Sequence, residues 1–106
     1  MGYLRRFPAV DAGNNVTRRV LSDAPELMLV EFAFAADGVG PPHSHPHVQS
    51  TLVRSGRFEF TIGDERFEVG PGDAFVFPAN AVHSCRALGV PGVLLVSFTP
   101  RRDDFL

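Results

Sequence analysis

Three of the four histidines in this 106-residue chain fall at every second position in the stretch PPHSHPHVQS, residues 41–50. His43, His45 and His47 are followed, two residues on, by Gln49. Alternation in an extended strand puts residues i, i+2 and i+4 on one face. Pro42 and Pro46 bias the residues before them towards extended backbone and oppose helix. If residues 43–49 are extended, three imidazoles and one amide project together. Imidazole is the commonest metal ligand, so such a cluster suits a divalent ion. All three histidines share one parity, so spacing does not say which of them bind. Clustered histidines also occur in solvated loops.

The fourth histidine, His83, follows the turn-like stretch Pro78-Ala79-Asn80-Ala81 and lies in another strand candidate. A barrel wall would bring that strand opposite the first. Three histidines and one amide oxygen would leave positions open for water or substrate, as a catalytic metal site requires.

Composition narrows the chemistry further. All ten basic residues are Arg, which removes a lysine Schiff base from consideration. Arginine grips carboxylates through two parallel hydrogen bonds, so cationic function here suits anion recognition. A formal net charge of −2 gives no nucleic-acid footprint. The single Cys85 excludes an intrachain disulfide and a zinc ribbon. It lies two residues beyond His83 and reads as a small buried thiol, with a fifth, soft ligand as the lesser reading. The N-terminal stretch MGYLRRFPAVDAG has no apolar signal region and no myristoylation pattern. No apolar run approaches membrane-spanning length. The expectation is a soluble, cytoplasmic protein.

The elements that must position these residues are strands. Eight candidates alternate with turn signals: Val16–Leu21, Leu27–Ala35, Val48–Ser55, Arg57–Ile62, Glu65–Val69, Ala74–Phe77, Val82–Leu88 and Val93–Thr99. Phe58, Phe60 and Ile62 share one face of the fourth. Gly63-Asp64 makes a two-residue hairpin loop after it. Gly70-Pro71-Gly72-Asp73 makes a tight turn. Leu27–Ala35 is apolar enough for a strand covered on both faces, or packed against a second subunit. No window has helical period. The pattern predicts one all-β domain over residues 1–106, a sandwich or barrel, with residues 1–11 as an N-terminal arm and 101–106 as a C-terminal tail. Arg18 and Arg19 point to opposite faces of one strand, so at most one enters a pocket. Tyr3 sits in the arm, away from any site.

Two spaced motifs resemble those of the cupins. The first is His43-x-His45, three residues, Gln49, six residues, Gly56. The second is Gly72, five residues, Pro78-x-Asn80, two residues, His83. Cupins usually carry Glu at the position of Gln49, Gly at that of Asn80 and Asn at that of Ala87. Asn tolerates the left-handed backbone nearly as Gly does. The resemblance implies a small jelly-roll barrel, with His43, His45, Gln49 and His83 as metal ligands and His47 beside them. The metal would be one divalent transition ion: nickel, zinc, iron, manganese or cobalt.

More of the chain is similar to the KdgF-type small cupins of pectin and alginate degradation. The similarity runs through NVTRRVL at 15–21, HSHPHVQ at 43–49, SGRFEFTIGDE at 55–65, PGDAFVFPANAVH at 71–83 and FTPRRDDFL at 98–106. It implies ring opening of 4,5-unsaturated monouronates to 5-keto-4-deoxyuronate, an anionic sugar substrate and a homodimer. It implies that Arg102 acts at the site and that Phe98 lines it. Gln49 in place of Glu leaves a divalent ion its full charge, which suits a carboxylate and a developing enolate oxygen. One departure stands out. The family usually has an acid two positions before Phe98, where this chain has Val96. His47 is the replacement base that the sequence offers. The missing acid keeps alive a non-catalytic sugar- or anion-binding cupin; a second rival on a similar barrel is a metal-dependent dioxygenase, which needs a redox metal.

Overall fold

The computed structural model describes residues 2–106. Ten strands run in order: β1 Val10–Gly13, β2 Val16–Ala24, β3 Leu27–Phe34, β4 Val39–His43, β5 Val48–Ser55, β6 Phe58–Ile62, β7 Glu65–Val69, β8 Ala74–Phe77, β9 His83–Ala87 and β10 Gly92–Thr99. A short 3-10 turn, Asp103–Phe105, follows β10. Among the described residues there is no α-helix, and none long and apolar enough to cross a membrane. The strands form a six-stranded sheet, ordered β1-β2-β3-β10-β5-β8, and a four-stranded sheet, ordered β4-β9-β6-β7. Every pairing is antiparallel. The alternation predicts a sandwich or barrel, and the two sheets form the jelly-roll barrel that the resemblance implies.

The core lies between the sheets. Phe58 and Phe60 of β6 point inward, with Met28, Val30 and Phe34 of β3 and Leu94, Val96 and Phe98 of β10 across from them. Phe34 meets Phe58 edge-on at 5.0 Å between ring centroids. Strict alternation along β5 and β10 sends every second side chain into this core, so register is fixed by burial. The hairpin at Gly63-Asp64 joins Ile62 to Glu65 as expected. At the second turn, Gly72 adopts φ +90°, and Asp73 Oδ2 accepts from the Gly70 amide at 2.8 Å.

The eight sequence-read strands are β2, β3 and β5 to β10. Two more were illegible. β1 is short and ends in glycine. β4 contains two prolines, which a central strand would not accept; it lies on the edge of its sheet, paired only with β9. In Leu27–Ala35, Met28, Val30 and Phe34 are buried, while Phe32 on the same face and Leu29, Glu31 and Ala33 on the other are half-buried within the single chain. The C-terminal residues are no solvated tail. Phe105 packs against Phe32 and Phe98, and the Arg101 amide donates to Pro25 O at 3.2 Å.

Candidate metal centre

The histidine row is not one strand. β4 ends at His43, residues 44–47 turn through a bend at Pro46 and His47, and β5 begins at Val48. The row therefore crosses from the four-stranded sheet to the six-stranded one. His43 is delivered by β4, His45 by the loop and Gln49 by β5. Convergence comes from the crossing, not from strand parity. His83, at the start of β9, pairs directly with His43 across the β4–β9 ladder. It is a neighbour in the same sheet rather than a residue from a facing wall.

The loop between β8 and β9 is tied to the histidine loop. Asn80 takes φ +68°, the left-handed conformation expected at its motif position. Its amide then donates to His45 O at 2.8 Å. The turn that launches His83 thus also fixes the backbone of His45.

One nitrogen of each of His43, His45 and His83 lies within 4.8 Å of the others. Ring centroids are 4.3 Å apart for His43 and His83 and 4.9 Å for His45 and His83. His43 Nδ1–H donates to Pro41 O at 2.8 Å, and His83 Nδ1–H donates to Ala81 O at 2.9 Å. Each bond fixes a tautomer whose Nε2 carries a bare lone pair, the state a metal ligand needs. His83 Nε2 is buried and has no partner among the described residues. His45 Nε2 faces Gln49 Oε1 at 3.0 Å. Gln49 Nε2 donates to Thr51 Oγ1 at 3.1 Å, which turns the amide oxygen towards the histidines. The residues present therefore fit a metal ion, and the three histidines are positioned to hold one.

Electrostatics favour the same state. Burial, then the neighbouring histidines and Arg102, hold His83 down at about 4, against the opposing Ala81 hydrogen bond. Burial, and next Arg102, lower His45 as well. Both rings are neutral at neutral pH and free to bind a cation. Cys85 stays out of the cluster: its sulfur lies under Gly40, apart from the three histidine nitrogens, and burial pushes its thiol up to about 12.

A cavity of about 210 Å³ opens beside this cluster. His43, Gln49 and His83 reach its wall, with Phe98 and Arg102. His45 is buried away from it. Arg102 Nε and Nη2 both donate to the Asp104 carboxylate, at 3.0 and 2.8 Å, and its guanidinium lies over Phe98 and Phe105. These bonds hold Asp104 below the usual carboxylate range. Val96 lines the same wall, fully buried, so a carboxylate there would have entered the cavity. His47 stands apart. It is half-buried on the bend, its ring 5.3 Å from that of His45 and 6.2 Å from that of Phe98, and it is not part of the cavity wall. Sequence reasoning missed two residues, Thr51 and Phe105. Thr51 shares the strand face of Gln49, two residues on, so parity was an available signal. Nothing local marked Phe105.

A jelly-roll barrel that gathers three histidines beside a cavity defines a class, and the comparisons agree. The family model for the cupin domain matches residues 30–98, and the chain belongs to this family. The pectin degradation protein KdgF of Dickeya dadantii (strain 3937) is 34% identical over 100 residues, covering 93% of this chain and 91% of that protein. The structure of KdgF from Halomonas sp. superposes with a TM-score of 0.90 at 33% identity, over 100% of this chain and 99% of that one. An RmlC-like cupin from Shewanella frigidimarina NCIMB 400 superposes with a TM-score of 0.89 at 29% identity, covering 94% of this chain and 89% of that chain.

Proposed function

We propose that this cupin opens the ring of 4,5-unsaturated monouronates to the linear 5-keto-4-deoxyuronate. The observation that carries the reading is the histidine cluster set beside a cavity in a chain 34% identical to a pectin degradation protein. His43, His45, Gln49 and His83 would hold one divalent ion of nickel, zinc, iron, manganese or cobalt. When bound, that ion supplies positive charge against the oxygen on which negative charge develops.

The reaction is an isomerisation with no redox step. The anomeric hydroxyl loses a proton as the C1–ring oxygen bond breaks, which leaves an aldehyde at C1 and an enol at C5. Ketonisation then takes a proton at C4. Phe98 walls the sugar, and Arg102 faces the cavity with its guanidinium over Phe98. His47 is the group we put forward for the proton transfers, since imidazole is the commonest general base; from its place on the bend outside the cavity wall it would have to reach the sugar past Phe98. A His47→Gln variant with full activity would remove that role. The residues act as one domain, which we place in the cytoplasm as a homodimer.

Metal-loaded protein mixed with fresh unsaturated monouronate should speed the loss of the enol-ether NMR signal over the uncatalysed rate. A Gln49→Ala, His83→Ala double variant should not. No acceleration with metal bound would sink the reading and favour a sugar-binding role, for which buried Val96 speaks. Oxygen consumption in the same tube would point to a dioxygenase instead.

A further inference from the structure

Seven of the ten arginines have a carboxylate partner: Arg5, Arg19, Arg54, Arg57, Arg86, Arg101 and Arg102. Of the other three, Arg6 and Arg66 are exposed to water. Arg18 is different. It is half-buried, it lines the cavity, and its Nε is buried with no hydrogen-bond partner among the described residues. Its guanidinium lies over the Phe105 ring, 4.3 Å from the centroid. Arg102 lies at the same distance from that ring, but its fork is taken by Asp104. A cation held partly out of water without a partner is costly, and an anion entering the site would offset that cost. The strand places it there for a simple reason. Alternation along β2 turns Arg18 inward beside buried Val16 and Val20, while Arg19 turns outward to Glu31 at 3.6 Å.

From this geometry we propose that Arg18 binds the carboxylate of the ligand and sets the preference of the cavity for acidic over neutral sugars. The inference rests on the reading that the cavity holds a sugar acid. Arg102 keeps its place at the site beside Phe98, its fork held by Asp104, and Arg18 is the specificity-determining residue.

The test separates the two readings. Metal-loaded wild type, Arg18→Gln, Arg18→Lys and Arg102→Gln are titrated with galacturonate and with galactose, two stable probes that differ in the carboxylate. Metal content is measured for each protein. Wild type should prefer galacturonate by about 10- to 100-fold, the usual worth of a charge-assisted pair. Arg18→Gln should erase the preference with its metal retained, and Arg18→Lys should keep part of it. Should the Gln variant fail to fold, Arg18→Met keeps the aliphatic stem against Phe105 and gives the same reading. A preference that survives in Arg18→Gln, or that is lost only in Arg102→Gln, overturns the proposal, as does a wild type with no preference. With unsaturated monouronate, Arg18→Gln should raise KM while kcat changes little. Failure of ring opening leaves the binding titrations, and the role of Arg18, to stand or fall alone.

Discussion

At the scale of single residues, the site depends on imidazoles kept neutral. Burial pushes His83 down to about 4 in the folded chain, against an ordinary 6.5. Between those values the unfolded chain binds the extra proton, so stability rises with pH. The metal-free protein should have its full stability above about pH 6.5 and lose up to about 3 kcal/mol as the pH falls to about 4, after which this contribution is exhausted. His45, lowered in the same direction, steepens the loss. Urea unfolding across this range with a chelator present measures the slope. His83→Gln should flatten it, and equal slopes for variant and wild type would show that His83 is not the group responsible. The ligand types were legible in the sequence because imidazole chemistry belongs to the residue. The Gln49–Thr51 contact was not, because a hydroxyl two residues along a strand is as often a packed core threonine.

At the scale of elements, turns decide how the strands deliver those residues. Gly56, the last residue of the first motif, sits at φ +81° with Gly92 Cα 2.6 Å from where a Cβ would stand. Pro91 O is 2.7 Å from the same point. Both obstacles are backbone, and they belong to the segment that leads into β10. Gly63, in the β6–β7 hairpin, also has positive φ, but open space surrounds it. Gly63→Ala should therefore cost only the backbone term, about 1 kcal/mol. Gly56→Ala should cost about 3 kcal/mol or more, because β5 and β10 must also separate. Denaturant midpoints compare the two, and equal losses would mean that the close approach is relaxed at no cost. The hairpin itself was readable, since two-residue loops carry their own chemistry. β4 was hidden by its prolines, because edge position is a property of the sheet.

At the scale of the whole molecule, the cavity wall is closed by distant parts of the chain. Asp23, its side chain 2% exposed, binds Arg5 at 2.8 Å and Arg101 at 3.3 Å. That clamp, with the Arg101–Pro25 backbone bond, holds Phe105 over the cavity between Arg18 and Arg102. Asp23→Ala should leave the barrel folded but release this segment. Amide exchange at Arg101 and Phe105 should quicken by roughly 10-fold or more while β3 and β10 stay protected. Uniform exchange rates in wild type and variant would show that packing of Phe105 alone suffices.

By itself the sequence determined the strand periodicity, the turns, the clustering of imidazoles with one amide and the absence of lysine chemistry. These are local properties: a strand reads its own alternation, and a side chain carries its own donor atoms. Tertiary structure alone decided that the histidine row bends between two sheets, that His83 pairs beside His43, and that the C-terminal residues fold back as a wall. It also decided that Arg18 is left without a carboxylate while Arg102 has one. Each of these depends on register between strands far apart in the chain, and register is set by which side chains the common core buries.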